Sequence, residues 1–252
     1  MKTARDFMVE VPVFRDDEKV TRVRSVLRED VNREAFVQDT RGKLLGYVDI
    51  SDILRVPSTR SDVTIEGFIK EIIPAHTGDS LETVIGLISK NNTDSVPVVD
   101  AQGQVIGGVR LADIFPVVTT RHPLRGTVGE FMSRNVVECE AEEPIHRIYN
   151  LILESGYSAF PVVKKKRLIG IISRRDLLRD GRWRPSLEGP SKTRVESVMT
   201  TPVITVSPGD ELQQAASMMV KHDISRLPVV EEEKLVGILD RHDVLKAVPG
   251  DV

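Results

Sequence analysis

The chain has 252 residues, of which 40% are apolar, and this is enough for one large domain or two of average size. Its 35 basic and 38 acidic residues give a net charge of −3, which disfavours nucleic acid or an anionic membrane as the main partner. One cysteine excludes an internal disulfide framework, and no apolar run is long enough for a signal peptide or a membrane span, so we expect a cytoplasmic protein.

One pattern returns four times along the chain. Each copy has an apolar strand, a polar turn, a second apolar strand that contains a glycine, and an aspartate six residues after that glycine. The glycines and aspartates are Gly46 and Asp52, Gly107 and Asp113, Gly170 and Asp176, and Gly237 and Asp243. A methionine or an isoleucine precedes each glycine by 38 residues, at Met8, Ile69, Met132 and Met199. Spacing kept this closely predicts four structural repeats.

Each repeat predicts the same order of elements: strand, helix, strand, strand, helix. In repeat one, a short strand at residues 11–14 precedes a helix that begins near Val20. The helices at the same place in the other repeats carry apolar residues at helical spacing from Leu81, Ile145 and Leu212. The predicted strand pairs are 35–37 with 44–48, 96–99 with 104–107, 160–163 with 168–172, and a pair within 226–243.

Polar and proline-containing breaks separate the repeats. We place the main domain boundary in the break at residues 117–127, between the second and third repeats. The four repeats then span residues 1–58, 62–118, 125–181 and 192–248.

A unit of about 60 residues buries too little apolar surface to be comfortably stable alone. Each repeat offers a small sheet with helices on one face, so neighbouring repeats are expected to cover each other's free face. The sequence therefore predicts an α+β fold of sandwich-like β-α-β-β-α modules arranged in two pairs. A pseudo-twofold axis through each pair would leave two equivalent clefts, one beside each terminal aspartate.

Three segments of repeat four carry a resemblance to a known family. They are Val-Met-Thr-Thr-Pro-Val-Ile-Thr-Val at 198–206, His-Asp-Ile-Ser-Arg-Leu-Pro-Val-Val at 222–230, and Leu-Val-Gly-Ile-Leu-Asp-Arg-His-Asp at 235–243. The pattern resembles the cystathionine-beta-synthase (CBS) domain family, with four modules in two Bateman pairs that form a pseudo-symmetric disk. This arrangement is similar to that of the gamma subunit of AMP-activated protein kinase and of stand-alone archaeal four-module proteins.

The resemblance implies a non-catalytic regulatory protein that senses cellular energy. It implies that AMP, ADP, ATP or S-adenosylmethionine binds in the clefts between paired modules, and that a protein partner or a second copy of the chain responds. The second pair is the better candidate site, because Glu34, Phe36 and Asp49 depart from the family pattern in repeat one.

The four aspartates allow two interpretations. A carboxylate at the start of a helix accepts hydrogen bonds from both hydroxyls of a ribose, as an acidic residue does in dinucleotide folds. Aspartate is also a preferred helix N-cap, and a capping role alone would explain its presence. The first interpretation makes Asp52, Asp113, Asp176 and Asp243 the ribose acceptors.

The resemblance also implies further ligand contacts. Phosphate contacts are expected at Ser173 with Arg175 beside it, at Arg226, and at Arg110, which stands three residues before its aspartate. Asp240 and Asp49 hold the same place in repeats four and one and would repel a polyphosphate unless a cation or an arginine lies between. His242 is expected to border the cleft of repeat four. The expected adenine walls are Val136, Val137, Tyr157 and Ser158 from repeat three, and Ile204, Thr205, Ile224 and Ser225 from repeat four. For the valines, an ordinary place in the sheet core is the alternative.

A second function stays open from the sequence. The basic run Lys-Lys-Lys-Arg at residues 164–167 and Trp183 are features of a scaffold that binds protein or nucleic acid with vestigial nucleotide clefts. A solvated hairpin tip is the alternative for the basic run. The five histidines are scattered without ligand spacing, which disfavours a metal site.

Overall fold

The computed structural model describes residues 2–29, 32–56, 62–174, 176–177 and 193–248. The chain divides into two compact units. The N-terminal unit comprises residues up to His122 together with Val248, and the C-terminal unit comprises Pro123–Ala247. Each unit contains two of the repeats.

The N-terminal unit contains two three-stranded sheets. In each sheet the first strand runs parallel to the second, and the third runs antiparallel to the second. The elements of the first repeat are α1 (Ala4–Phe7), β1 (Val13–Arg15), α2 (Val20–Glu29), β2 (Glu34–Gln38), β3 (Leu44–Asp49) and α3 (Ile50–Arg55). Those of the second are a 3-10 turn (Glu66–Phe68), β4 (Ala75–His76), α4 (Leu81–Asn91), β5 (Ser95–Val99), β6 (Val105–Arg110) and α5 (Leu111–Arg121).

The C-terminal unit repeats this order. The third repeat contains α6 (Val128–Phe131), β7 (Cys139–Glu140), α7 (Ile145–Ser155), β8 (Ala159–Lys164) and β9 (Arg167–Ser173), and described residues 174 and 176–177 are helical. The fourth contains a 3-10 turn (Val195–Ser197), α8 (Leu212–Lys221), β10 (Arg226–Glu231), β11 (Lys234–Asp240) and α9 (Arg241–Leu245). The predicted first strand of this repeat is reduced to one parallel bridge between Val206 and Val229.

The predicted mixed α and β class is confirmed, and its core lies between each sheet and its helices. In α7, Ile145, Ile148 and Ile152 lie on one face and are 0–2% exposed, as expected for an amphipathic helix. They pack in one cluster with Phe160 and Val162 of β8. The predicted disk of two pairs stays a prediction. No helix in the described part of the chain has the length and apolar character needed to cross a bilayer.

Within each unit, the repeats exchange short N-terminal segments. In the N-terminal unit, Val9 of repeat one exchanges two backbone hydrogen bonds with Gly108 in β6 of repeat two, at 2.9 and 3.0 Å. Lys70 of repeat two exchanges two with Tyr47 in β3 of repeat one, at 2.8 and 2.9 Å. Each repeat therefore extends the third strand of its neighbour.

The C-terminal unit contains the same exchange. Ser133 of repeat three pairs with Ile238 in β11, with both hydrogen bonds 2.9 Å long. Thr200 of repeat four pairs with Ile171 in β9, at 2.8 and 3.1 Å. The bridges pair the repeats reciprocally in both units.

These bridges explain the fixed glycine and methionine positions. A Cβ atom added at Gly237 would lie 2.5 Å from Met132 Sδ, and one at Gly170 would lie 2.6 Å from Met199 Sδ. At Gly107 an added Cβ would lie 2.5 Å from Met8 Cγ. Each methionine thus packs on the glycine of the neighbouring repeat, not on the glycine that follows it in its own repeat. Only glycine leaves room for this contact.

We expect Gly237→Ala to destabilise the protein by about 1–3 kcal/mol, because the methyl group would overlap Met132. Urea unfolding followed by circular dichroism measures the change. Gly209→Ala is the control, since no atom lies within 4 Å of its added Cβ. The double variant with Met132→Ala should be less destabilised than the sum of the single variants. Simple additivity would contradict the contact.

Cys139 is 2% exposed, within the core cluster of the third repeat. Burial, reinforced by the charges of Glu143, Glu138 and Glu140, raises the pKa of its thiol to about 12. The thiolate is the reactive form, so we expect a chromogenic disulfide reagent at pH 8 to leave native Cys139 unmodified and to label it fully in urea. Rapid labelling of the native protein would contradict this assignment to the core.

Candidate functional site

Each of the four predicted aspartates lies in the helical segment that follows the third strand of its repeat. Asp52 lies in the first turn of α3, Asp113 in that of α5, and Asp243 in that of α9. Asp176 lies in the helical residues after β9. The spacing of six residues from the glycine therefore gives all four carboxylates the same place in the fold.

Asp176 contacts neutral donors from two repeats. Its Oδ2 accepts hydrogen bonds from Ser173 N at 2.7 Å and from Ser173 Oγ at 2.6 Å. Its Oδ1 accepts one from Thr200 Oγ1, in the neighbouring repeat, at 3.3 Å. Oδ2 thus binds the residue at the start of its own helix, while Oδ1 binds a residue of repeat four.

Asp243 is 5% exposed and forms a capping box with Asp240. Asp243 N donates to Asp240 Oδ1 at 2.9 Å, and Asp240 N donates to Asp243 Oδ2 at 3.1 Å. The remaining oxygen, Oδ1, accepts from Lys246 Nζ at 2.6 Å. Burial and then the charge of Asp240 raise the pKa of Asp243 above its ordinary value. This carboxylate is committed to capping and to one ion pair.

The two aspartates of the N-terminal unit are bound to cations. Lys70 Nζ of repeat two lies 2.5 Å from Asp52 Oδ2, and Arg55 lies 3.2 Å from Asp52 Oδ1. Arg110, which we predicted as a phosphate contact, holds Asp113 through two hydrogen bonds of 2.6 and 3.2 Å. Bidentate and charge-assisted pairs of this kind are strong. Neither aspartate caps its helix, and Asp49 caps α3 instead.

A second group of predicted residues meets where repeats three and four join. Arg226 Nη2 donates to Ser158 Oγ at 2.9 Å, and Arg226 lies opposite Asp240 in the β10 and β11 pair. Arg241 Nη2 donates to the carbonyl oxygen of Ile224 at 3.3 Å. The structure therefore brings Arg226 to the hydroxyl of Ser158 and places Asp240 opposite Arg226 on the neighbouring strand.

The predicted adenine walls lie outside the strands, and none of them is buried. Tyr157 is 51% exposed and Val137 is 36% exposed. Thr205 and Ser225 are exposed, while Val136, Ser158, Ile204 and Ile224 are half-buried. The sheet-core alternative for Val136 and Val137 is therefore wrong. His242 lies half-buried in the first turn of α9, and Arg175 and Trp183 lie outside the described residues.

The junction between repeats one and two contains a buried carboxylate. Glu34 is 2% exposed and accepts hydrogen bonds from Asp94 N and Ser95 Oγ, both at 2.9 Å. Burial and then the charge of Asp94 raise the pKa of Glu34 to about 7. Asp49 forms an ion pair of 3.0 Å with Arg33. Two of the departures noted in repeat one, Glu34 and Asp49, thus belong to an internal polar network, while Phe36 is buried in the core.

Sequence reasoning missed an open cavity in the N-terminal unit. Its volume is about 590 Å³, and its walls come from the segment before β1 and from the start of β6. Its lining residues are Met8, Val9, Glu10, Val11, Pro12, Val13, Phe14, Val26, Val105, Ile106 and Gly107. The pairing of Met8 with Gly107 across two repeats forms it, and this pairing has no signal within one repeat.

The basic hairpin tip is partly neutralised by nearby acids. Lys164 Nζ lies 3.0 Å from Glu196 and 3.6 Å from Glu142, and Arg167 lies 3.3 Å from Glu233. These ion pairs agree with the alternative that residues 164–167 are a solvated hairpin tip. Among the residues that the structure describes, no group of histidine, cysteine, aspartate and glutamate side chains is arranged to hold a metal ion.

Comparison with known proteins places the chain in a family. The CBS domain profile matches residues 62–119, 128–181 and 195–250, which together exceed half of the chain. The chain belongs to the CBS domain family. Residues 1–61 lie outside the matched segments, although their sheet has the same strand order as the three-stranded sheets of repeats two and three. Phe36 replaces the proline that is the third residue of the second strand in the other repeats.

Two archaeal proteins illustrate the relationship. Protein MJ1225 of Methanocaldococcus jannaschii is 26% identical over 186 residues, which cover 70% of this chain and 66% of that protein. Protein MJ0188 of the same organism is 31% identical over 123 residues, which cover 48% of this chain and 43% of that protein. The match therefore spans less than two thirds of either relative.

Two solved structures share this fold over nearly the whole chain. The crystal structure of MJ1225 superimposes with a TM-score of 0.78 at 21% identity, covering 97% of this chain and 99% of that one. A conserved protein from Pyrococcus horikoshii gives a TM-score of 0.67 at 24% identity, covering 97% and 98%. At these identities the likeness shows the fold of the CBS repeats and no more.

The pKa of Glu34 predicts a pH-dependent stability. Its folded value of about 7 lies above the ordinary 4.5, so unfolding releases a proton between these values. Stability should therefore fall as the pH rises from about 5 to about 8, by about 1–3 kcal/mol. In Glu34→Gln the amide oxygen can still accept from Asp94 N and the amide NH2 can donate to Ser95 Oγ, so this variant should remove most of the slope.

Urea unfolding at pH 5, 6, 7 and 8 measures the slope. Glu231→Gln, at an exposed strand end, is the control that should leave it unchanged. The groups around Glu34 that also carry charge are Arg33, Asp49 and Asp94. Equal slopes for wild type and Glu34→Gln would contradict the assignment.

Proposed function

We propose that this CBS protein is a regulatory sensor that binds an adenosine ligand, AMP, ADP, ATP or S-adenosylmethionine, between paired repeats. The observation that carries the proposal is the environment of Asp176. Its carboxylate receives hydroxyl hydrogen bonds from Ser173 of its own repeat and from Thr200 of the neighbouring repeat. Two hydroxyl donors around one carboxylate are the arrangement that a ribose diol would reproduce.

The surroundings of the C-terminal unit support an adenine nucleotide. Tyr157 and Val137 of repeat three expose apolar surface outside the strands, and Ile204 and Ile224 of repeat four are half-buried. Ligand sites typically combine apolar walls with a few polar groups that fix orientation. Arg226, which joins the two repeats through Ser158, supplies a permanent positive charge for a phosphate.

A regulatory role follows from where these groups lie. Ser173 and Thr200 belong to different repeats, so a ligand on Asp176 would change the contact between them. Such a ligand shifts the equilibrium between two arrangements of the paired repeats, and the shift is limited by the difference between its affinities for the two arrangements. The structural relative MJ1225 has been described as a proposed archaeal homologue of γ-AMPK, and this supports an energy-sensing role for the present chain. A protein partner or a second copy would read the change.

We expect titration calorimetry to show binding of at least one of AMP, ADP, ATP and S-adenosylmethionine to the full chain. Asp176→Asn should weaken it by about tenfold to a hundredfold, since a hydrogen bond to a charged acceptor contributes about 1.5–3 kcal/mol. Asp210→Asn is the matched control: Asp210 Oδ2 accepts from Ser207 N at 2.8 Å in the same unit. Lack of binding by all four compounds would remove the sensor proposal.

A further inference from the structure

One position in each repeat bridges to the strand that leads into the aspartate of the neighbouring repeat. It follows the bridging methionine or isoleucine, and its residue makes the reciprocal backbone bridge to the third strand of the neighbour. The bridged partner lies five residues before the aspartate in every case. We name this place the bridge position, and its residues are Val9, Lys70, Ser133 and Thr200.

In each unit, one of the two bridge-position residues contacts the aspartate of the neighbouring repeat. Lys70 Nζ lies 2.5 Å from Asp52 Oδ2 in the N-terminal unit. Thr200 Oγ1 lies 3.3 Å from Asp176 Oδ1 in the C-terminal unit. The backbone bridges hold both residues in equivalent places, so the different side chains meet the two carboxylates from the same side.

The two side chains leave their carboxylates in different chemical states. The ammonium of Lys70 neutralises Asp52, whose side chain is only 17% exposed, and Arg55 adds a second cation. Burial lowers the pKa of Lys70, but the bond to Asp52 and the charges of Asp52 and Asp49 outweigh it, so the pKa is raised. A neutral diol would have to displace a charged partner. At Asp176 it would displace only neutral donors, the hydroxyls of Ser173 and Thr200.

We propose that the bridge position selects which aspartate is open to a vicinal diol: Thr200 leaves Asp176 open, and Lys70 closes Asp52. This inference rests on the proposed function and names the residue that sets its site. The ligand class is a nucleoside with both ribose hydroxyls free. A merely structural salt bridge between Lys70 and Asp52 would affect stability and would leave the number of bound ligands unchanged.

Reciprocal exchange of the two side chains tests the selection. The full chain is titrated calorimetrically with AMP, ADP, ATP and S-adenosylmethionine, and stoichiometry is measured for Thr200→Lys and Lys70→Thr. Thr200→Lys should weaken binding at the Asp176 site at least tenfold, and Lys70→Thr should add one site. The site gained should be absent when a 2′,3′-dideoxy analogue of the bound compound is used.

Conservative variants are the matched controls. Lys70→Arg keeps the cation and should not add a site, and Thr200→Ser keeps the hydroxyl and should restore the binding at the Asp176 site that Thr200→Lys loses. Circular dichroism and urea unfolding check that each variant is folded. If Thr200→Lys does not fold, the gain or lack of a site in Lys70→Thr decides the question.

The outcomes separate this inference from the proposed function. If the wild type binds none of the four compounds, the proposed function fails and the selection with it. If the wild type binds, but Thr200→Lys binds equally well and Lys70→Thr gains no site, only the selection is overturned. Loss in the first variant together with gain in the second supports both.

Discussion

The contact between a methionine of one repeat and a glycine of its neighbour is the constraint on which both pairs depend. The glycine is required because an added Cβ would lie within about 2.6 Å of the methionine side chain at Gly107, Gly170 and Gly237. The residue after each methionine then makes two backbone hydrogen bonds to the neighbouring third strand. Because the exchange is mutual, neither repeat completes its sheet alone, as expected for a unit this small.

The same contact builds the candidate site. The third strand continues from the bridge directly into the helix that carries the aspartate, so any change in the bridge moves the carboxylate. Thr200 is both a backbone partner of Ile171 and a hydroxyl donor to Asp176. Pairing of the repeats and placement of Asp176 against Thr200 are therefore one event, and a ligand on the carboxylate would act on the contact that holds the pair together.

The order of elements could be predicted from the sequence, because period-two strands and helical spacing are local signals. The partner of each methionine could not. Every repeat carries a methionine or an isoleucine and a glycine at the same distance, so the spacing cannot distinguish a contact within a repeat from a contact with its neighbour. The first strands were also less predictable. The strand expected at residues 11–14 is Val13–Arg15, since it pairs with only one neighbour and has little to fix its ends.

For the site, local partners were accessible to sequence reasoning and distant ones were not. Arg110 and Lys246 stand three residues from Asp113 and Asp243, a spacing that brings side chains together on a helix. Lys70 belongs to a different repeat from Asp52, and only the exchange of segments brings them together. The same holds for Thr200, which was visible in the Met-Thr motif but had no sequence signal linking it to Asp176.

The two pairs have diverged at equivalent positions on their second strands. Glu34 is the first residue of β2, and Arg226 is the first residue of β10. Each is hydrogen-bonded to a serine of the neighbouring repeat: Glu34 accepts from Ser95, and Arg226 donates to Ser158. The charged groups around Glu34 are Asp94, Asp49 and one cation, Arg33. Burial already disfavours the charged form of Glu34, and an anionic ligand placed there would disfavour it further. Arg226 keeps its charge at all physiological pH values. One fold thus gives an acidic junction in the N-terminal unit and a basic one in the C-terminal unit, and this difference favours a phosphate in the second.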